Sequence, residues 1–219
     1  MAINAKAGSL TPRELIPAGS HIARCYQMLH IGTVTDVIMG EEKVLNKVRI
    51  TFEVPGEMRV FNEENGEQPM VIDKEYNLSM NPKSNLRRDL ESWRGQGFTE
   101  DEADNFDITK LLGIACMISI VHKTSKKGND YATISSISGL PKGVECPKQI
   151  NPTFEFNYDD KFDPERVEKF PDFIKDAMKS SEEYKKRIDE LMGEEQNKNM
   201  VTGDELEAEA DNLKTDPPF

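Results

Sequence analysis

From residue 47 to residue 54 the chain alternates without a break. Val48, Ile50, Phe52 and Val54 take one parity, and Lys47, Arg49, Thr51 and Glu53 take the other. A period of two fits a strand with one buried face and one solvated face, so this stretch commits the chain to a sheet. The strand is expected to stop at Pro55, which has no N–H for a ladder rung. Residues 21–37 are rich in strand formers and bend near Gly32, and Gly40-Glu41-Glu42 supplies the turn between the two runs. An acidic loop at 62–66 leads to a broken strand at 70–80, and strands at 115–122 and 131–137 are joined by a basic hairpin.

Helical signals interrupt this β pattern. Ser84 is an N-cap for a helix over 85–93, with Leu86, Leu90 and Trp93 at helical spacing and Gly95 as the stop. Thr99-Glu100-Asp101-Glu102 is a capping box for a short helix through Phe106, and Asp107 caps a further turn over 107–113. After Pro141 an irregular connection covers 146–162. Short helices follow at 163–169 and at 171–179, the second with Pro171 in its first turn, and Ser180/Ser181 cap a third over 182–192. Phe170, Phe173, Ile174, Tyr184, Ile188 and Leu191 are their expected apolar face.

The fold class is therefore mainly β with appended helices (α+β). Three strands, a helical connection and a hairpin give the element order of an OB-fold. That is a five-stranded barrel, here with a helical insertion between strands 3 and 4 and a C-terminal helical flap. A split α+β sandwich is the alternative. The expected layout is a flexible arm at 1–19, an OB domain at 20–147, a connection and flap at 148–193, and a disordered acidic tail at 194–219.

Charge is unevenly spread. Residues 1–148 hold eighteen Lys and Arg against twenty Asp and Glu, whereas residues 149–219 hold ten against twenty. The global acidity therefore leaves room for a cationic face on the first part. No apolar run is long enough for a bilayer and no charged-then-apolar leader precedes the chain, so a cytoplasmic protein without membrane contact is expected. Cys25, Cys116 and Cys146 are odd in number and widely spaced, and His21, His30 and His122 show no ligand spacing. Reduced, buried thiols are expected at Cys25 and Cys116, and no metal or other cofactor. The acids fall in loops and helix starts, and no Gly-x-Ser-x-Gly or phosphate loop occurs. A non-enzyme is expected, with a metal-dependent nuclease as the weakest alternative.

Several stretches carry a family likeness. The block 76–95 (Tyr-Asn-Leu-Ser-Met-Asn-Pro-Lys-Ser-Asn-Leu-Arg-Arg-Asp-Leu-Glu-Ser-Trp-Arg-Gly), Phe106-Asp107-Ile108, residues 111–116, the basic hairpin 123–128 and residues 170–175 resemble phage and prophage OB-fold single-stranded DNA-binding replication proteins. The resemblance covers about residues 18–195. It implies single-stranded DNA binding, without catalysis, in replication, recombination or repair within a bacterial or phage-infected cell. The ending Asp216-Pro217-Pro218-Phe219 is similar to the tail of bacterial single-stranded DNA-binding proteins, with Pro217 where those have isoleucine. That likeness implies capture of replication or recombination proteins such as a polymerase, helicase or recombinase. A terminal carboxylate beside a phenyl ring suits a basic, apolar pocket. Self-association is left open.

Single-stranded DNA asks for cations along its phosphates and flat rings for its bases. Lys47 and Arg49 on the solvated strand face, and Lys123, Lys126 and Lys127 on the hairpin, meet the first need. Tyr131 at the start of the next strand meets the second, and Arg24, Tyr26 and His30 share parity in the first strand as a cationic and aromatic row that also holds Met28. The competing readings are a solvated hairpin tip for the lysines and barrel packing for the tyrosines. Trp93 belongs to the buried helix face; Arg88 and Arg94 could contact phosphates, but Asp89 and Glu91 offer ion pairs, so Arg87, Arg88 and Arg94 are expected to be solvated or paired. A protein-binding adaptor with an OB-like barrel is the rival to a DNA binder.

Overall fold

The alternating stretch lies inside β2 (Glu41–Val60), which follows β1 (Gly19–Ile38) through a turn at Met39-Gly40. Both turn residues have positive φ, 55° and 84°, the geometry whose twist matches a tight hairpin. This computed structural model describes residues 14–159 and 161–193. The expected arm therefore enters only at residue 14. The tail 194–219, with Asp216, Pro217, Pro218 and Phe219, lies outside the described residues.

Val48, Ile50, Phe52 and Val54 are buried, as their parity requires. β2 does not stop at Pro55. It lies between β1 and β3 (Glu67–Asn77), and a twenty-residue strand paired on both sides can lose one rung and continue. The opposite parity is not a solvated face either, because Thr51 and Glu53 are buried. The acidic loop before β3 contains a 3₁₀ turn, Glu63–Asn65.

Between β3 and β4 come α1 (Asn85–Arg94), α2 (Glu100–Asp104) and a 3₁₀ turn, Ile108–Leu111. Each starts where a side chain caps it. The Ser84 hydroxyl accepts from Arg87 N at 3.1 Å, Thr99 and Glu102 form a reciprocal box, and Asp107 accepts from Thr109 N at 2.9 Å. Caps of this kind contribute about 1 kcal/mol each. Gly95 ends α1 in the left-handed conformation. β4 (Ala115–Thr124) and β5 (Asp130–Ser138) form the expected hairpin.

The sheet runs in the order β3-β2-β1-β4-β5, and the short β6 (Phe154–Phe156), inside the connection read as irregular, adds to β1. The protein is thus mainly β, of the α+β class. After β6 come α3 (Pro164–Glu168), α4 (Asp172–Ser180) and α5 (residues 182–193). Pro171 is the N-cap of α4 rather than a residue of its first turn. No described helix is long and apolar enough to cross a membrane.

The chain forms two compact units that interleave along the sequence. The first comprises Met1–Met28, Ile50–Lys74 and Met80–Phe154; the second, Leu29–Arg49, Glu75–Ser79 and Glu155–Phe219. In the first, Ala23, Cys25, Ile50, Phe52, Ile118 and Ile134 are buried together with Leu86, Leu90 and Trp93 of α1, and Trp93 packs 5.6 Å from Phe52 and donates to the Ala115 carbonyl at 3.0 Å. Burial pushes the Cys25 thiol up to about 12 and raises Cys116 as well, and both are free thiols.

The second unit is built on rings. Phe156 meets Tyr158, Phe162 and Phe170 edge-on at 5.5, 6.2 and 5.7 Å, and Tyr184 meets Phe162 at 5.7 Å. Each such pair contributes about 0.5–1.5 kcal/mol beyond area burial. Ile174 and Met178 are the buried face of α4, and Phe173 is not part of it. Gly32 has φ +96°, and a Cβ there would fall 2.7 Å from Ser181 Cβ and Glu183 Oε2. The expected bend is therefore a close approach within a continuous strand.

Candidate nucleic-acid interface

The β4–β5 hairpin brings four of the expected residues together. Lys123 lies directly across from Tyr131, and Thr124 across from Asp130. The loop between them is well bonded. Ser125 N donates to the Asn129 carbonyl at 2.9 Å, Gly128 N to the Ser125 carbonyl at 2.9 Å, and the Thr124 hydroxyl to Asp130 at 2.7 Å. Gly128 supplies the positive φ the loop needs. Lys123, Lys126 and Lys127 are exposed, and none pairs with a carboxylate among the described residues. Tyr131 is 44% exposed.

Register carries this face down the sheet. Beneath the Lys123–Tyr131 pair lie Val121 opposite Thr133, Ser119 opposite Ser136, and Met117 opposite Ser138; β1 adds Ser20 beside Ser119 and Ile22 beside Met117. Cys116, Ile118, Ile120, Ile134 and Ile137 point the other way, into the core. A bulge at Ser119/Ile120 leaves Ser135 unpaired, and its hydroxyl donates to the Ser119 carbonyl at 3.0 Å. The result is a surface of hydroxyls and apolar side chains, topped by an open ring and three ammonium groups that pair with no carboxylate among the described residues. Ammonium groups are the chemistry that pairs with the phosphates of a polyanion, each pairing releasing counterions.

The other expected contacts have different neighbours. Arg24 donates to the carbonyls of Gly113 at 2.6 Å, Pro147 at 2.9 Å and Cys146 at 3.5 Å. Glu53, fully buried, accepts from Ile150 N at 3.1 Å, Asn151 N at 2.8 Å and Asn151 Nδ2 at 2.9 Å. Arg24 on β1 and Glu53 on β2 thus anchor residues 146–151 against the first unit's own sheet face. Tyr26 is half-buried on this face. Burial, then the carboxylates of Glu53 and Asp73, raise its hydroxyl pKa. This cover is why Thr51 and Glu53 escape solvent. A buried carboxylate needs donors, and the Gln149–Asn151 turn, about a hundred residues away, provides them.

In the second unit, His30 Nε2 is 2.8 Å from Asn46 Oδ1, and its ring meets the edge of Tyr158 at 5.5 Å. Lys47 pairs with Asp36 and, at 3.1 Å, with Glu75. Burial pulls its ammonium down, but these two carboxylates outweigh burial and hold the pKa above the usual lysine range. Arg49 bonds Glu75 at 3.4 Å and lies 4.8 Å from the Phe173 ring centroid. Trp93 is buried as expected. Of the two states expected for Arg87, Arg88 and Arg94, solvated or paired, the structure shows pairing: Arg87 with Glu91 and Glu100, Arg88 with Asp89, and Arg94 with Glu102.

Among the described residues, no three His, Cys, Asp or Glu side chains converge as a metal site would require. In comparisons with known proteins, the chain matches no protein-family model and no curated sequence.

Proposed function

We propose that this chain binds single-stranded DNA without strong sequence preference, as a non-catalytic component of phage-type replication, recombination or repair in a bacterial cell. One observation carries the reading: three lysines that have no carboxylate partner among the described residues are displayed on a hydrogen-bonded hairpin, one of them directly across from an exposed tyrosine. Ammonium groups serve the phosphates and the ring serves a base, and neither chemistry reads sequence. The sheet order supports it. The path β3-β2-β1-β4-β5, with helices between β3 and β4, is that of a five-stranded OB barrel opened between β3 and β5. Such barrels, often partly open, bind oligonucleotides through strands 2–3 and through the loops between strands 1–2 and 4–5. The lysine hairpin is the second of those loops. The segment 146–151 lies over Arg24 and Glu53, so within the first unit we assign the strand to the hairpin face rather than to the β1–β2 face.

The ending Asp216-Pro217-Pro218-Phe219 completes the proposal as a capture point for a polymerase, helicase or recombinase. The test is fluorescence anisotropy of a labelled thirty-mer of deoxythymidine at low and high salt, with duplex DNA alongside. Salt-sensitive binding that duplex DNA does not match supports the reading. No binding at low salt refutes it and favours the adaptor, and degradation of the strand on adding magnesium favours the nuclease.

A further inference from the structure

Three aromatic side chains are left exposed among the described residues: Phe61, Tyr131 and Phe173. Phe61 precedes the acidic turn of Glu63 and Glu64. The other two each adjoin a cation, Tyr131 through its cross-strand partner Lys123 and Phe173 through Arg49. The combination on the hairpin therefore recurs in the second unit, on different elements.

Phe173 is the second residue of α4. Helical geometry places it about 100° around the axis from Ile174, so burying Ile174 and Met178 turns the phenyl ring outward. It remains 60% exposed. The Arg49 guanidinium lies 4.8 Å from its centroid and is tied to Glu75 at 3.4 Å; Glu75 also takes Lys47, which Asp36 holds from its other side. Both cations are thus held by carboxylates, and the guanidinium lies against the ring. A flat ring braced by a cation is the arrangement on which an unpaired base stacks.

We infer that Phe173, braced by Arg49, is a base-stacking platform for single-stranded DNA on the second unit. The inference rests on the single-strand reading above and assigns the second unit a share in it. Because Arg49 and Lys47 are already paired with carboxylates, this contact adds stacking without counterion release. Its contribution to affinity is the same at low and high salt, unlike that of the hairpin lysines.

The test uses the full chain and the thirty-mer. The protein's one tryptophan, Trp93, is buried, so in Phe173→Trp an emission change on binding reports the introduced indole. The expected result is quenching that tracks the anisotropy of the labelled strand. Phe173→Ala should weaken binding by about tenfold at every salt concentration, with an unchanged salt slope, while Phe173→Tyr keeps near wild-type affinity. Strand binding without quenching, and with Phe173→Ala equal to wild type, overturns the platform and leaves the single-strand reading standing. If the wild-type chain binds no strand at all, both fall together. Phe173 is exposed, so thermal melts of the three variants should overlay the parent.

Discussion

Replacing Glu53 by alanine removes the acceptor for three N–H donors, those of Ile150, of Asn151 and of the Asn151 side chain. A hydrogen bond to a charged group contributes about 1.5–3 kcal/mol. The donors are only part-buried, and a released loop can turn them towards water, so the three do not add in full; a loss of about 2–4 kcal/mol is expected. At about 2–4 °C per kcal/mol for a chain of this size, the melting midpoint should fall by about 4–16 °C. Glu53→Gln keeps the shape and one acceptor but sets an NH₂ against an N–H, and should lie in between. Circular dichroism melts and urea titrations measure the loss. A second readout is chemical. Cys146 sits in the anchored segment and is the least buried of the three thiols, so its reaction with a thiol reagent should accelerate while Cys25 and Cys116 stay protected. A Glu53→Ala protein that melts within about 1 kcal/mol of the parent, with unchanged Cys146 reactivity, would show that the carboxylate does not hold the segment.

Neutralising Lys123, Lys126 and Lys127 together to alanine should flatten the salt dependence of strand binding by about two in log–log slope, about 0.7 per phosphate contact on a single strand. An unchanged slope in anisotropy titrations removes the hairpin from the interface. Gly32→Ala should destabilise by at least about 1–3 kcal/mol, because it adds a Cβ 2.7 Å from Ser181 and Glu183 at a φ that side chains avoid; an unshifted melt refutes the close approach. Glu183 makes a pH prediction. Burial alone would raise its pKa, but the Thr33 N–H and hydroxyl outweigh burial and lower it below the usual 4.5. Its stabilisation is therefore present above about pH 4.5 and lost as pH falls through the depressed folded value. Glu183→Gln should shrink the acid-dependent loss of stability measured between pH 6 and pH 3, and an unaltered profile counts against the contact.

What could be read in advance was local. Ser84, the spacing of Leu86, Leu90 and Trp93, and Gly95 lie within one stretch, and α1 forms where they indicate. The β4–β5 hairpin and its lysines were legible for the same reason, since their geometry depends on a dozen consecutive residues. Apart from Pro171, which is one position off at the start of α4, the misreadings involve partners far away in the chain. Glu53 alternates like a solvated residue until residues 150 and 151 cover it. β6 has three residues, too few for a periodic signal, and exists because β1 offers it a partner. Periodicity places Phe173 beside Ile174 without saying which of the two meets the core. Arg24 carries no local sign that three backbone carbonyls await it.

The interleaving of the two units has a consequence for how such a chain can be cut or inherited. Unit borders fall inside β1 between Met28 and Leu29, inside β2 between Arg49 and Ile50, inside β3 between Lys74 and Glu75, and inside β6 between Phe154 and Glu155. A fragment ending at residue 147 would keep Leu29–Arg49 and lose its companions in the same unit: Tyr158, which donates to the Ile31 carbonyl at 2.9 Å, and Glu183, which fastens Thr33. Leu29, Ile31 and Val48 belong to a core whose rings and helices would be gone. Neither unit is therefore a transferable module. Gene rearrangement that shuffles whole domains could move this fold only intact, and its diversification is confined to substitutions and to loops such as the lysine hairpin.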